Sequence, residues 1–451
     1  MFKLKELIKA TEGILIGDFR DFLIKGISID SRTIKRQQAF VAIKGKNFDG
    51  HDFIKEAIAK GASCVIIEKL SDIKTKIPFI KVKDTIKALG DIARFQRRRF
   101  DLPVIAVTGS NGKTTTKEML AFVLSRRFKV LKNEGTKNNQ IGLPLSLFEL
   151  SHNYKIAVLE LGTNHIGEID YLSKICLPNL GIITNIGPSH LEYLGSLEGV
   201  FKEKYSLIEN LKEPYLGFLN ADDRFLRTKI DNKTLKPFII SFGIKNNADF
   251  SASKIKVSQN KVEFQVNQKY KVSLNTLGYH NVYNTLAVIA VARIFGLNYK
   301  EIILSLKEFQ FPAGRLRLIK LNNINFIDDT YNSNPLSLRE ALNTLRNLTI
   351  RGRKIFIMGD MLELGNLSNR FHYQAGPEVA STCDVLITVG ELSRLTAEMV
   401  NKLGFNRNNI FICNSSMEAR DVLFNKITPD KNDIVLVKGS RAIQMERVFR
   451  K

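Results

Sequence analysis

The sequence predicts an α/β protein of three domains, and three observations carry that prediction. Short, continuous apolar runs alternate with segments of helical spacing along most of its 451 residues, the pattern of parallel sheets covered on both faces. One run, Val104 to Val107, opens into the glycine-bounded turn Gly109–Gly112 and then into a helix marked by Met119, Leu120, Val123 and Leu124. Between Phe250 and Leu274 the pattern changes to strict alternation of apolar and polar residues, which predicts an antiparallel ribbon.

Taken in order, residues 1–82 predict a small N-terminal α/β domain. Strands are expected at Ala39–Ile43 and Cys64–Ile67, with a helix over His51–Lys60 between them. Residues 83–312 predict a central parallel sheet of phosphate-loop type. Apolar strands Ile156–Leu161, Leu180–Ile186 and Tyr215–Asn220 end on Glu160, on Gly187-Pro-Ser-His190 and on Ala221-Asp-Asp223. The ribbon follows, with turns near Gln259-Asn260 and Asn267-Gln268, and then a buried helix over Leu286–Leu297. Residues 313–451 predict a doubly wound, Rossmann-like C-terminal domain. Its strands are expected at Asn325–Ile327, Lys354–Met358, Val385–Val389, Asn409–Ile412 and Ile434–Val437, and a helix starts at Pro335.

Composition narrows the class. Apolar content of 44% and charged content of 25% are those of a globular domain with an ample core. The formal net charge of +23 permits a polyanionic partner or an anionic substrate, but the lysines are spread along the chain and only Arg97-Arg98-Arg99 cluster. A solvated basic surface without nucleic acid is therefore expected. Cys64, Cys176, Cys383 and Cys413 form no paired motif, which fits reduced thiols. Met1-Phe-Lys-Leu-Lys-Glu6 lacks the apolar run of a secretory leader, and the most apolar window is too short for a membrane span. A cytoplasmic monomer is expected.

The chemistry-bearing residues sit where α/β sheets bind ligands, beyond the carboxyl ends of strands. In Thr108-Gly-Ser-Asn-Gly-Lys-Thr-Thr115, unpaired amides at the helix start attract phosphate, Lys113 reaches terminal phosphates, and Thr114 offers a hydroxyl to Mg²⁺. The loop is a shortened variant, because the glycine usual five residues before Gly112 is replaced by Val107. Glu160 and His190 can each ligate a divalent ion, although a lone histidine also reads as a capping or core residue. Lys204, within Phe201-Lys-Glu-Lys-Tyr205, reads by itself as a solvated helix lysine. Asn281 and Asn284, three apart at a helix start, suit either base recognition or helix capping, with capping the simpler reading. Pro312-Ala-Gly-Arg315 exposes an arginine. Asp328-Asp-Thr-Tyr-Asn-Ser-Asn-Pro335 is too dense in hydrogen-bonding groups for a simple turn. Asp30-Ser-Arg-Thr33 and Lys44-Gly-Lys-Asn-Phe-Asp-Gly-His51 read equally as surface turns or ligand loops.

With these residues in view, the chain resembles the Mur ligases, the ATP-dependent amide ligases of peptidoglycan synthesis. The resemblance spans the whole chain. It is carried by the phosphate loop, by Asn138-Asn-Gln-Ile-Gly-Leu-Pro144, Glu160-Leu-Gly-Thr-Asn-His-Ile-Gly-Glu168 and Asn185-Ile-Gly-Pro-Ser-His190, by His280-Asn281 with Asn284, by Gly314-Arg315 and by Lys438-Gly-Ser-Arg441. Within the family, Asp329-Thr-Tyr-Asn-Ser-Asn-Pro335 and Asn138-Asn139 are similar to the member that adds D-alanyl-D-alanine to UDP-N-acetylmuramoyl-tripeptide (UDP-MurNAc-tripeptide). The Asp-Asn-Pro-Arg motif of the diaminopimelate-adding sibling is absent. Arg36-Gln-Gln38 departs from the family, which usually has a glycine turn there.

The resemblance implies ATP and two Mg²⁺ ions. It implies nucleotide contacts from residues 108–115 (Thr108, Gly109, Ser110, Asn111, Gly112, Lys113, Thr114 and Thr115) and from Asn281, Asn284, Arg315 and Asp329. Metal ligands would be Thr114, Glu160, His190 and a carbamylated Lys204, with Lys113, Lys204 and His190 catalytic. Substrate contacts would come from Ser31, Arg32, Asp49, His51, Asn138, Asn139, Tyr331, Asn332 and Asn334. The competing expectations are a sibling or folate polyglutamate ligase, and a nucleic-acid-dependent ATPase motivated by charge. Against the last, the strand before Gly162 ends in one acid, Glu160, and not in a pair.

Overall fold

A computed structural model describes residues 1–45, 48–69, 76–230, 237–258 and 260–449. Lys46 and Asn47 of the 44–51 segment, and Gln259 of the expected ribbon turn, lie outside the described residues. The fold is mixed α/β with parallel sheets, as the alternation of strand and helix patterns predicts. The chain forms two compact units, residues 1–106 with 129–162 and 168–179, and residues 107–128 with 163–167 and 180–451.

The first unit contains a five-stranded sheet in the order Ile14–Ile16, Phe79–Lys81, Cys64–Ile67, Gln38–Val41, Gly26–Ser28. The first pairing is antiparallel and the others are parallel. Side chains alternate across a strand, so Ala39, Val41, Cys64 and Ile66 pack with Leu7, Leu89 and Ile92 on one face. Phe40, Ala42, Val65 and Ile67 pack with Ile54 and Ala57 on the other. The helix expected over 51–60 is a 3-10 turn, Gly50–Phe53, running into Ile54–Ala59. Gln37 takes φ +66° where a glycine turn was expected from the family pattern, so the left-handed turn survives without the glycine. This unit also carries Val130–Lys132 paired in parallel with Ile156–Glu160.

In the second unit, Leu180–Ile183, Leu216–Asn220, Phe238–Gly243 and the start of Phe250–Ser258 pair in parallel. Phe250–Ser258, Lys261–Val266 and Tyr270–Leu274 then form the antiparallel ribbon. Asn267 and Gln268 make its second turn with φ +46° and +58°. Two left-handed central residues match the right-handed twist of the flanking strands. The helix Asn281–Ile294, buried through most of its length, packs on Lys113–Leu124.

A six-stranded sheet follows in the order Arg317–Leu321, Ile324–Asp329, Ile434–Lys438, Lys354–Gly359, Val385–Val389, Ile410–Cys413. All neighbours are parallel except the first pair, a hairpin turning at Asn322 and Asn323 with φ +47° and +67°. Its core is Phe326, Ile355, Ile357, Ile387, Val435 and Val437 with Leu423 and Phe449. The last strand enters between Ile324–Asp329 and Lys354–Gly359, so that Asp329 pairs with Lys438 in register.

Candidate active site

The strand Val104–Thr108 is buried throughout and stops at Gly109, whose φ is +144°. A Cβ on Gly109 would lie 1.9 Å from Thr184 Oγ1, so only glycine brings the two segments together. Thr184 and Asn185 brace the loop: Asn185 O accepts from Ser110 N (2.9 Å), Asn185 Oδ1 accepts from Asn111 N (3.0 Å), and the Thr184 hydroxyl donates to Asn111 O. Ser110 Oγ donates to Gly187 O (2.9 Å). Gly112, at φ +83°, precedes the helix Lys113–Leu124, whose first-turn amides have no intrahelical acceptor. Lys113 curls over the loop and donates to Gly109 O at 2.7 Å. Thr115 is buried in the first turn.

His190 and Lys204 stand close enough to Lys113 for their charges to interact. Lys204, one residue along from Glu203 in the helix Leu197–Glu209, is 1% exposed. This overturns the solvated-lysine reading: the helix turns this side chain inward although its neighbours in sequence are polar. Burial first, and then the charge of Lys113, push Lys204 well below the usual lysine range, with Glu203 opposing. Glu203 is itself occupied, accepting from Thr163 Oγ1 (3.1 Å) and Gly167 N (2.6 Å). His190 precedes a short helix, Leu191–Leu194, at φ +53°, but its side chain makes no cap. Burial, helped by Lys204 and Lys113, lowers its pKa, while Glu363 works the other way. Nδ1 of His190 lies 2.6 Å from Glu363 Oε2.

The third sheet contributes from the carboxyl end of Ile324–Asp329 and from the turn that leads into its antiparallel neighbour Arg317–Leu321. The Arg315 guanidinium stacks 3.7 Å from the Tyr331 ring centroid and donates to Thr114 Oγ1 at 3.2 Å. Asn334 caps the helix Pro335–Asn347 by accepting from Ser337 N, and exchanges two side-chain hydrogen bonds with Asn111 (2.8 and 3.2 Å). Asn332 Oδ1 accepts from Ser333 N. Asp329 is engaged on both oxygens, accepting from Lys438 Nζ (2.6 Å) and Leu316 N (3.2 Å). Asn281 and Asn284 do not cap their helix, contrary to the simpler reading. Asn281 donates to Thr276 Oγ1 and accepts from Asn284, whose amide oxygen in turn faces Gly112.

In the first unit, Asn138 donates to Glu160 Oε1 at 2.7 Å, and Asn133 clamps the Glu160 backbone. Asn139 accepts from Ile141 N and Gly142 N at the start of the helix Gly142–Leu147. Ser31 donates to Glu56, and Arg32 makes a two-pronged contact with Asp30, whose pKa falls to about 2 under the hydrogen bonds from Arg32. Both ring nitrogens of His51 have partners, Asp49 on Nδ1 (2.7 Å) and Glu68 N on Nε2 (3.1 Å). The polar groups of Asn139, Asp49 and His51 are thus engaged within the unit.

Comparison with known proteins bears on the same stretches. The family models "Mur ligase family, catalytic domain", "Mur ligase middle domain" and "Mur ligase, glutamate ligase domain" match residues 23–97, 107–292 and 314–441. The UDP-N-acetylmuramoyl-tripeptide–D-alanyl-D-alanine ligase of Bacillus subtilis is 32% identical over 99% of this chain and 97% of its own. The chain belongs to the Mur ligase family. Among solved structures, MurF from Acinetobacter baumannii superposes with a TM-score of 0.89 at 34% identity, over 98% of this chain and 97% of that one. MurF from Thermotoga maritima, in complex with ADP, gives 0.83 at 30% identity over 94% and 95%.

The donors of this Mur ligase fit Mg²⁺. Glu160 is 1% exposed, and its Oε2 has no hydrogen-bond partner among the described residues. A buried carboxylate oxygen left over in this way suits a hard cation. Among the described residues no three His, Cys, Asp or Glu cluster as a metal cage. Mg²⁺ takes one or two carboxylates and fills its octahedron with phosphate, hydroxyl and water oxygens. Sequence reasoning passed over Thr184, which shapes the loop, and Glu363, which lies against His190; it named Asn185 and Lys438 only within family motifs, without the roles they take in bracing the loop and holding Asp329. Lys438 carried a signal, a lysine at the end of the apolar run Ile434–Val437. Glu363 carried none, since one acid in a polar loop is unremarked by pattern.

Proposed function

We propose that this Mur ligase joins D-alanyl-D-alanine to UDP-MurNAc-tripeptide, driven by ATP, as a cytoplasmic monomer acting in peptidoglycan synthesis. The observation that carries the proposal is the full-length likeness to D-alanyl-D-alanine ligases, together with a phosphate loop whose lysine stands beside His190 and Lys204. Residues 1–82 would bind the UDP-sugar, 83–312 would bind ATP, and 313–451 would form the C-terminal ligase domain.

Two anions must meet for this reaction. A carboxylate oxygen of the tripeptide attacks the γ-phosphorus and ADP leaves, giving an acyl phosphate. The dipeptide amine then attacks the acyl carbon, loses a proton, and phosphate departs with the carboxylate oxygen. Lys113 and the loop amides would hold the β- and γ-phosphates as charge develops on them. Thr114 would offer its hydroxyl and Glu160 its carboxylate to Mg²⁺, and His190 with a carbamylated Lys204 would hold a second ion. The ions, when bound, screen the repulsion between carboxylate and phosphate. Carbamylation needs a neutral amine, and the depressed pKa of Lys204 supports its availability. Asn281, Asn284, Arg315 and Asp329 would serve the nucleotide. Asn138, Asn139, Tyr331, Asn332 and Asn334 would serve the peptide ends, while Ser31, Arg32, Asp49 and His51 would serve the UDP-sugar. Phosphate release with UDP-MurNAc-tripeptide is expected to require D-alanyl-D-alanine. Release with diaminopimelate in its place, or with DNA or RNA alone, would overturn the assignment.

A further inference from the structure

Glu363 lies in the loop after the strand Lys354–Gly359, far in sequence from the phosphate loop, yet its carboxylate faces a proposed metal ligand. The approach is built in. Glu363 and His190 both hold left-handed backbones, φ +63° and +53°, that side-chain-bearing residues seldom adopt. The backbone amide of Glu192 donates to Glu363 O at 3.2 Å. Gly365, at φ +55°, sits so close that a Cβ there would lie 3.0 Å from Glu192 Cα. The loop is also tied at its base, where Met361 N donates to His372 Nε2 (3.0 Å) and Leu362 N to Ser440 Oγ (2.9 Å). The groups that interact with the Glu363 carboxylate are His190 and His165, and the His165 ring packs against Tyr193, tilted by 45° with centroids 4.4 Å apart.

We propose that Glu363 is a positioning residue for His190, so that the third sheet completes the second metal site. The carboxylate meets Nδ1, which favours the proton there and leaves the Nε2 lone pair for a metal. A metal-binding histidine is thereby oriented by a residue from another sheet, and the site is competent only while the Glu363 loop is docked.

The inference rests on the reading of His190 as a ligand, so the test separates the two. Mn²⁺ binding is followed by electron paramagnetic resonance with a non-hydrolysable ATP analogue and UDP-MurNAc-tripeptide present. His190→Ala is expected to abolish one Mn²⁺ site; if it does not, the ligand reading fails and the inference with it. Glu363→Ala is expected to weaken that site by about 10–100-fold. Glu363→Gln, nearly isosteric and still an acceptor, is expected to keep most of the affinity. Imidazole ¹⁵N shifts, tractable with 6 histidines in the chain, should show His190 protonated on Nδ1 in the parent and moved towards Nε2 protonation in Glu363→Ala. Loss of the site in His190→Ala, with Mn²⁺ affinity and tautomer unchanged in Glu363→Ala, would overturn the inference. Circular dichroism of each variant separates these outcomes from misfolding, and Glu363→Gln carries the test if Glu363→Ala does not fold.

Discussion

Replacing Lys438 by methionine removes the only positive charge bonded to Asp329 among the described residues. The Lys438 side chain is 2% exposed and that of Asp329 11%. Nζ donates to Asp329 Oδ2 (2.6 Å) and Asn332 O (2.9 Å). Burial pushes the Lys438 pKa down and Asp329 pulls it back up, so each charge is tolerated because of the other. Breaking a buried pair by removing one partner costs about 3–5 kcal/mol. Asp329 retains its bond from Leu316 N, which places the expected loss near the lower end, about 3 kcal/mol. At 1.36 kcal/mol per decade that is roughly 150-fold in an opening equilibrium. Hydrogen exchange by mass spectrometry, read on peptides covering Ile324–Asp329 and Ile434–Lys438, should therefore accelerate by about two decades in Lys438→Met. Adding Asp329→Asn should recover at least about 1 kcal/mol, because the uncompensated charge is gone. Acceleration under about fivefold, or a double variant as damaged as the sum of the singles, would refute the reasoning.

Gly109→Ala places a methyl against Thr184 at φ +144°. It should lose about 2–6 kcal/mol from strain and overpacking together, and most ATP-analogue affinity by calorimetry, with partial recovery on adding Thr184→Ala. Gln37→Gly relieves an exposed left-handed residue; the gain of about 1–2 kcal/mol less glycine's entropy of about 0.5–1 should leave a small net stabilisation in thermal melts. Asp30 should titrate by NMR near pH 2, its contribution being present above the unfolded value of ~3.9 and lost as pH falls through the folded one. In Arg32→Ala the midpoint should rise towards ~3.9. Enzyme stripped of CO₂ should lose activity and regain it with bicarbonate; no dependence would argue against a carbamate on Lys204.

The parts of the fold that were legible are those whose signal is local. Val104–Thr108 is apolar on both faces and stops at a glycine, and the ribbon alternates cleanly from Val262 to Leu274. Arg317–Leu321 was missed because it is a half-exposed edge strand carrying Arg317 and Lys320, with the turn pair Asn322-Asn323 as its one cue. The site was legible where a motif concentrates it, at residues 108–115, and illegible where function depends on distant packing. Nothing near Lys204 announces its burial, because the elements that cover it come from elsewhere in the chain. Asn281 and Asn284 suited a cap by position, but a pairing with Thr276 and the approach to Gly112 claimed their amides. His51, expected at a ligand, spends both nitrogens within its own unit, a commitment visible only once Glu68 is placed beside it.

The most direct measurement is mass spectrometry of one reaction containing ATP, D-alanyl-D-alanine and UDP-MurNAc-tripeptide labelled with ¹⁸O in its terminal carboxyl. The account predicts a product extended by the intact dipeptide and one ¹⁸O atom in each phosphate released. An unextended tripeptide, a product extended by a single amino acid, or unlabelled phosphate would contradict it.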